Sequence, residues 1–114
     1  MIQSPAVSSH AVVLSTVGSE SEASRLAHAL VERGLAACVN VVPGVRSVYR
    51  WEGRIHDEAE WLLVIKTRRE RFEELRRAIR ELHSYEQPEI VMLEIADGDS
   101  GYLRWLDDQT ARNA

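Results

Sequence analysis

Two long runs of strand-forming residues, 38–51 and 54–66, are separated by the dipeptide Glu52-Gly53. Because glycine reaches the positive φ of a tight two-residue turn, this pattern predicts one β-hairpin. Each arm holds roughly a dozen residues, against about five or six in an ordinary strand, so the hairpin would be roughly 40 Å long at about 3.3 Å per residue. A domain with a radius of gyration near 13 Å is only about 26–28 Å across. We therefore expect the hairpin to project beyond its own core.

The predicted hairpin is rich in side chains that are unfavourable in water. A contiguous apolar surface of this kind marks an interaction site on a soluble protein. The simplest partner is another copy of the same chain, so we expect self-association to cover the hairpin. The residues concerned are Val41, Val42, Val45, Val48, Tyr49, Trp51, Trp61 and Leu63.

Length and charge narrow the possible classes of protein. The 114 residues suit one domain, which we expect to span residues 11–114 after a flexible N-terminal tail at 1–10 that lacks the features of a secretory signal. The net charge of −4 argues against nucleic-acid binding, because phosphate contacts need a basic surface. No apolar run is longer than that at 61–65, which is far shorter than a membrane span. A single cysteine, Cys38, excludes an intrachain disulfide and fits the reducing cytoplasm.

The residues before the hairpin predict a strand and a helix. The valine-rich run 11–16 indicates a buried first strand. Ser19 and Glu22 form the capping-box pattern that opens a helix, and Gly34 marks its end. Within the hairpin, Pro43-Gly44 predicts a bulge in the second strand.

The residues after the hairpin repeat the helix-strand pattern. Thr67 and Glu70 form a second capping box, before a helix that ends near His83. A fourth strand is expected at 90–96, and a turn beginning at Asp97 leads into a short last helix. The order βαββαβ predicts an α+β, ferredoxin-like fold with a long central hairpin and a short C-terminal helix.

Five segments together form a specific pattern that resembles the CutA family of divalent-cation tolerance proteins, over nearly all of residues 11–106. The resemblance implies a ferredoxin-like protomer in a compact, very stable homotrimer, found in the bacterial cytoplasm and linked to tolerance of copper and other divalent metals. It also implies a likeness to the nitrogen-regulatory PII proteins in fold and assembly, which suggests signalling. The segments are Ala36-Ala37-Cys38-Val39-Asn40, Tyr49-Arg50-Trp51-Glu52-Gly53-Arg54-Ile55, Ile65-Lys66-Thr67, Tyr85-Glu86-Gln87-Pro88-Glu89-Ile90 and Tyr102-Leu103-Arg104-Trp105.

The resemblance implies a metal site that this sequence retains in part. Family members proposed to bind copper use a cysteine in the first strand and one or two histidines before a Pro-Tyr pair. Here Ser15 stands at the cysteine position and Ser84 at the proline, so His83 is the histidine that matches. Imidazole and carboxylate are ligands for Cu(II) and other borderline divalent cations, so we take His83 and Glu86 as the candidate metal ligands. The alternative for His83 is an interaction with the dipole of the helix that it ends.

Two further groups are weaker candidates. His56 and Glu58 alternate on the third strand and share one face, which is a chelating spacing in principle and a solvated section of hairpin otherwise. Cys38 is a soft ligand type and a possible nucleophile, but a lone cysteine at the start of a valine-rich strand is more often a small buried apolar residue. His28 is placed on the polar face of the first helix, with no role, and His10 is placed in the tail.

Four residues of the matching segments form a predicted cleft between subunits: Trp51, Lys66, Tyr85 and Glu86. Aromatic residues are also typical of oligomer interfaces, which is the alternative for Trp51 and Tyr85. Lys66 follows a buried apolar run, where it could hold an anionic ligand in this cleft or pair with a carboxylate.

These features favour a non-enzymatic, trimeric protein of metal tolerance or signalling that binds a divalent cation or a small ligand between its subunits. The alternative is a PII-like signalling or scaffold protein with no metal site of its own. Catalysis is not expected, because the sequence shows neither a phosphate-cradling glycine loop after the first strand nor a hydrolase motif. RNA binding is rejected because the third strand lacks the aromatic signature of RNA-recognition domains.

Overall fold

The computed structural model describes residues 9–111, which form one four-stranded antiparallel sheet with three helices. The strands are β1 (His10–Val17), β2 (Cys38–Trp51), β3 (Arg54–Arg68) and β4 (Val91–Glu94). The helices are α1 (Glu20–Glu32), α2 (Phe72–Leu82) and α3 (Ser100–Gln109), with a short 3₁₀ turn, Arg69–Arg71, before α2. The sheet order β2-β3-β1-β4 confirms the ferredoxin-like α+β fold that the element order predicted.

The hairpin of β2 and β3 projects as its length predicted. Its strands pair from Cys38 opposite Lys66 to Trp51 opposite Arg54. The turn residues Glu52 and Gly53 have φ of 51° and 76°, which is the pair of left-handed values that a type I′ turn requires. The chain measures 51 × 36 × 23 Å along its principal axes, with a radius of gyration of 15.6 Å. A compact domain of this length would have a radius near 13 Å, so the excess is the extended hairpin.

One face of the sheet packs against α1 and α2 to form the core. Strand alternation turns Val13, Leu63 and Ile65 to this side, where they join Leu26 of α1 and Ile79 of α2 in one buried cluster. Leu63 was predicted among the hairpin residues that another copy covers. It is fully buried in its own core instead, because it lies where β3 still has β1 as a neighbour.

The other face of the sheet, here called the outer face, is largely uncovered within the chain. It carries the outward residues of β1, β3 and β4, which are Val12, Leu14, Leu62, Val64, Val91 and Leu93. Helix α3 covers one end of this face, where His10 contacts Asp107 and Arg68 donates to Thr110. Leu93 at the other edge remains 53% exposed.

Four local predictions differ from the structure, two of them element boundaries and two of them capping boxes. Residues 1–8 of the predicted tail lie outside the described residues, but His10 belongs to β1, pairs with Arg68 and is half-buried. The fourth strand covers Val91–Glu94 rather than 90–96, since Glu94 already lies opposite Ala11, near the start of β1.

Of the two predicted capping boxes, the first is half formed and the second is absent. The hydroxyl of Ser19 caps α1 by accepting from the amide of Glu22 at 3.2 Å, but the Glu22 carboxylate does not return to Ser19. It accepts from the amide of Ser84 at 3.2 Å. Thr67 caps no helix, because its buried hydroxyl donates to the carbonyl of Leu35 at 2.7 Å and so ties the end of β3 to the loop after α1.

The Thr67 hydrogen bond gives a stability test of this junction. We expect Thr67→Val to lower the free energy of unfolding by about 1–3 kcal/mol, because the buried carbonyl of Leu35 loses its donor. Denaturant titration at a fixed protein concentration measures the change. Thr16→Val is the matched control, since the Thr16 side chain is half-buried and makes no hydrogen bond among the described residues. Equal stability of the two variants would contradict the assignment.

Candidate ligand cleft and predicted metal site

A cleft of about 510 Å³ opens where the hairpin leaves the body of the protein. One wall is the distal part of β2, with Ser47, Val48, Tyr49 and Trp51, and the other is the segment 85–89. The floor includes Glu60 of β3 and Thr16 at the end of β1. In the strand pairing, Glu60, Glu58 and His56 lie opposite Val45, Ser47 and Tyr49. The cleft is therefore the distal continuation of the outer face.

A hydrogen bond between Tyr85 and Glu60 joins one wall of the cleft to its floor. The phenol of Tyr85 donates to Glu60 Oε2 at 2.6 Å, and Glu60 is only 5% exposed. Burial, and secondly this bond to a carboxylate, raise the pKa of Tyr85 well above its ordinary value of 10.0. Tyr85 is therefore held as a neutral donor, with its phenol fixed against a buried acid.

His83 fixes the segment that carries Tyr85. The amide N–H of Tyr85 donates to His83 Nδ1 at 3.0 Å, so this nitrogen acts as the acceptor and Nε2 is assigned the proton. Nε2 lies 2.8 Å from the carbonyl oxygen of Thr16, to which it donates. The imidazole side chain is fully buried and its ring centroid is 4.6 Å from that of Tyr85. His83 thus joins the end of α2, the end of β1 and the start of the cleft wall.

Two further contacts position the same wall. Besides accepting from Ser84, the Glu22 carboxylate places Oε1 3.9 Å from His83 Nδ1, and this oxygen is buried without a hydrogen-bond partner among the described residues. A Cβ at position 18 would lie 3.0 Å from the hydroxyl oxygen of Tyr85. Glycine at position 18 therefore lets the phenol lie directly against the turn between β1 and α1.

Comparison with known proteins identifies the family. A model of the family described as CutA1 divalent ion tolerance protein matches residues 11–109. The chain belongs to the CutA1 family. Divalent-cation tolerance protein CutA of Thermus thermophilus is 50% identical over 99 residues, which cover 87% of this chain and 96% of that protein. The resemblance stated from the sequence motifs is thereby confirmed.

Two other comparisons with CutA1 relatives add to this picture. Protein CutA, chloroplastic, of Arabidopsis thaliana is 43% identical over 99 residues, which cover 87% of this chain and 54% of that protein. This chain thus spans about half the length of that plant relative. The solved structure of the divalent cation tolerance protein of Thermus thermophilus matches with a TM-score of 0.87 and 49% identity, covering 90% of this chain and 99% of that chain. The fold described above is therefore the CutA1 fold.

The predicted CutA1 metal ligands do not form a complete site within one chain. Both ring nitrogens of His83 already take part in hydrogen bonds, and Glu86 is exposed on the cleft wall. Ser15, at the cysteine position, is fully buried and its hydroxyl has no hydrogen-bond partner among residues 9–111. Within that range, no group of three or more His, Cys, Asp and Glu side chains is placed to hold a metal ion. Coordination by His83 and Glu86 stays a prediction, which needs donors from elsewhere.

His56 and Glu58 share a face of β3, as their spacing predicted. His56 Nδ1 lies 3.5 Å from Glu58 Oε1, and the imidazole stacks on Tyr49 with ring centroids 5.1 Å apart. Tyr49 in turn donates to Glu58 at 3.1 Å. These contacts make the group a part of the hairpin surface beside the cleft.

Lys66 does not line the cleft within one chain, and its place in a cleft between subunits stays a prediction. Lys66 and Glu60 share the outer face of β3, but six residues of strand separate them by roughly 20 Å. Lys66 lies opposite Cys38 at the base of the hairpin and donates to the side-chain amide oxygen of Asn40. Cys38 itself is half-buried, so its exposure is intermediate between that of an exposed ligand and that of a core residue.

Trp51, Tyr85 and Glu86 do line the cleft, but its central carboxylate was missed. The sequence interpretation allowed a solvated section of hairpin around His56 and Glu58 and did not single out Glu60, whereas the structure buries Glu60. A signal was available, because Glu60 is in phase with Leu62 and Val64 on one face of β3. Gln87 and Glu89 also line the cleft and were not singled out.

The Tyr85–Glu60 contact predicts a shifted titration. We expect Tyr85 to ionise at a higher pH than a free tyrosine, and Glu60→Gln to lower its pKa, because the neighbouring negative charge is removed. Since the pKa of Tyr85 is raised in the folded state, its contribution to stability is complete below about pH 10 and is lost as pH rises further. Phenolate absorbance at 295 nm follows the titration.

The assignment of this titration step is controlled by Tyr85→Phe. That variant should lose the step at the highest pH, whereas Tyr102→Phe should retain it. A Glu60→Gln protein whose last tyrosine ionises at the wild-type pH would show that Glu60 does not act on Tyr85.

Proposed function

We propose that this CutA1 protein acts in divalent-cation tolerance as a homotrimer that binds a small ligand in the cleft between its hairpin and the segment 85–89. The observation that carries the proposal is the cleft itself, with a volume of about 510 Å³. Small-molecule sites in proteins commonly have volumes of about 300–1,000 Å³, with apolar walls and a few placed polar groups. The aromatic rings of Tyr49, Trp51 and Tyr85 and the carboxylate of Glu60 match that description.

Self-association is supported by two apolar surfaces that the single chain leaves exposed. Val48 and Ile55, on the distal hairpin, are 63% and 62% exposed. Val91 and Leu93 extend the outer face of the sheet and are 45% and 53% exposed. Burying such surfaces against further copies is favourable. The number three comes from the CutA family resemblance, and the cleft lies where the two surfaces meet.

The same proposal covers how the protein acts and where in the cell it acts. We infer a PII-like sensor or scaffold that responds by binding and does not catalyse a reaction, acting in the cytoplasm. The family description names tolerance of divalent ions and no reaction. None of the helices that the structure describes has the length and apolar character needed to cross a membrane. The net charge of −4 disfavours nucleic acid as the partner.

Direct metal binding is the second candidate function, and membership of the CutA1 family favours it. Cu(II) or another divalent cation would bind to His83 and Glu86, with the remaining donors supplied by a neighbouring copy. For this, His83 must give up one of its two hydrogen bonds, either to Thr16 or from Tyr85. Because of that cost, we rank ligand binding in the cleft above metal coordination by His83.

Trp51→Ala tests the assembly. Trp51 is 42% exposed on the distal hairpin, and we expect its loss to weaken the trimer by about 2 kcal/mol or more, as for a large aromatic residue at an interface hot spot. Sedimentation velocity at nanomolar concentration measures the population of trimer. Trp105→Ala is the matched control, because Trp105 is equally exposed, at 42%, but lies on α3. A Trp51→Ala protein that sediments as an unaltered trimer would contradict the prediction.

A metal titration separates the two candidates. Because both nitrogens of His83 are engaged, we expect calorimetry with Cu(II) and Zn(II) to show no micromolar binding that depends on this residue. His28→Ala is the control, since His28 is exposed on α1. Saturable binding that is lost in His83→Ala and kept in His28→Ala would instead assign the metal to His83. Circular dichroism of both variants confirms that each remains folded.

A further inference from the structure

The charged side chains that line the cleft are acidic, and the described part of the chain offers them no counter-charge. Three carboxylates line it, on Glu60, Glu86 and Glu89, and no lysine or arginine does so within the described residues. The ion pairs described for residues 9–111 include none of these three acids. The cleft therefore presents a field that attracts a cation.

Glu60 distinguishes this cleft from an ordinary group of exposed surface acids. The residue is only 5% exposed, yet the hydrogen-bond partner described for its side chain is the neutral phenol of Tyr85. Buried ionised carboxylates in proteins are paired with a positive group or bound to a metal, because an isolated buried charge is unfavourable. Glu60 is thus a buried carboxylate that lines the cleft, and the ion pairs described for residues 9–111 give it no positive partner.

The lining and the size of the cleft select the kind of cation. Transition-metal sites such as those of zinc usually have three or more protein side chains as donors, and residues 9–111 by themselves supply no such group. A volume of about 510 Å³ suits a molecule of several heavy atoms. Aromatic rings attract organic cations through their faces, and the rings of Tyr49, Trp51 and Tyr85 line the cleft beside the acids.

We propose that the cleft binds a small organic ammonium ion, with Glu60 as its buried counter-charge and Trp51 and Tyr49 as its aromatic wall. This inference rests on the proposed ligand-binding role of the cleft and names the class of ligand. Tyr85 has a supporting part, since its phenol holds one oxygen of Glu60 while the other remains available to the ligand. Glu86 and Glu89, at the exposed rim, raise the local concentration of cations without direct contact.

The test compares two probes of the same shape and different charge. Choline and 3,3-dimethylbutan-1-ol differ in a quaternary nitrogen that replaces a quaternary carbon, and calorimetry on the full-length trimer measures the affinity for each. We expect choline to bind at least about tenfold more tightly, because the neutral probe lacks both the carboxylate attraction and the cation–π contact. This comparison uses the wild-type protein and so does not depend on the folding of a variant.

Variants of single acidic residues then test which carboxylate attracts the ligand. We expect Glu60→Gln to weaken choline binding by about tenfold or more, whereas Glu81→Gln, an exposed acid on α2, should leave it unchanged. Glu86→Gln, which alters an exposed rim acid, should weaken binding less than Glu60→Gln. Choline binding that is equally strong in Glu60→Gln and Glu81→Gln would overturn the assignment of Glu60.

Four outcomes overturn the class of ligand. Equal affinity for both probes would mean that shape and not charge is recognised. Binding of Cu(II) or Zn(II) that needs Glu60, without choline binding, would leave the cleft as a functional site but make its ligand a metal. A trimer that binds choline only as the Arg50→Ala, Arg54→Ala double variant would show that hairpin arginines of a neighbouring copy occupy the cleft. A trimer that binds neither probe would also reject the ammonium ion, whereas failure to form a trimer would reject the proposed function itself.

Discussion

The pairing of β3 is the constraint on which the rest of the structure depends. From Trp61 to Lys66 this strand lies between β1 and β2, and its inward side chains fill the core. Before Trp61 it has β2 alone as a neighbour, so the same strand leaves the body of the protein as the projecting hairpin. Glu60 is the first residue of β3, going outwards along the hairpin, that lies beyond the end of β1. Core, hairpin and cleft are therefore successive parts of one strand and cannot be placed independently.

The segment after α2 is fixed to the same point from the other side. His83 joins it to the last residues of β1, and Glu22 of α1 holds the next amide. Tyr85 then reaches Glu60 on the floor of the cleft. Since these bonds involve buried groups, the wall of the cleft is set by the packing of β1, α1 and α2. The histidine that resembles a CutA metal ligand is, within one chain, the central element of this attachment.

The uncovered surfaces link this architecture to assembly. The outer face of the sheet and the distal hairpin carry exposed apolar side chains, and the cleft lies between them with its acids and aromatic rings. A neighbouring copy that covers these surfaces would also approach the mouth of the cleft. In the proposed assembly, binding in the cleft and contact between subunits would then influence each other.

The sequence by itself determined the features that depend on neighbouring residues. Alternation and length specified the hairpin, Gly53 specified its turn, and the family motifs placed Trp51, Tyr85 and Glu86 at the cleft. Only the tertiary structure decided that Glu60 is buried and that Lys66 does not line the cleft within one chain. Strand alternation gives the face on which a side chain lies, but its burial depends on what covers that face. Glu60 is covered by a tyrosine that is 25 residues away in the chain and is held there by contacts with a strand and a helix from the start of the sequence.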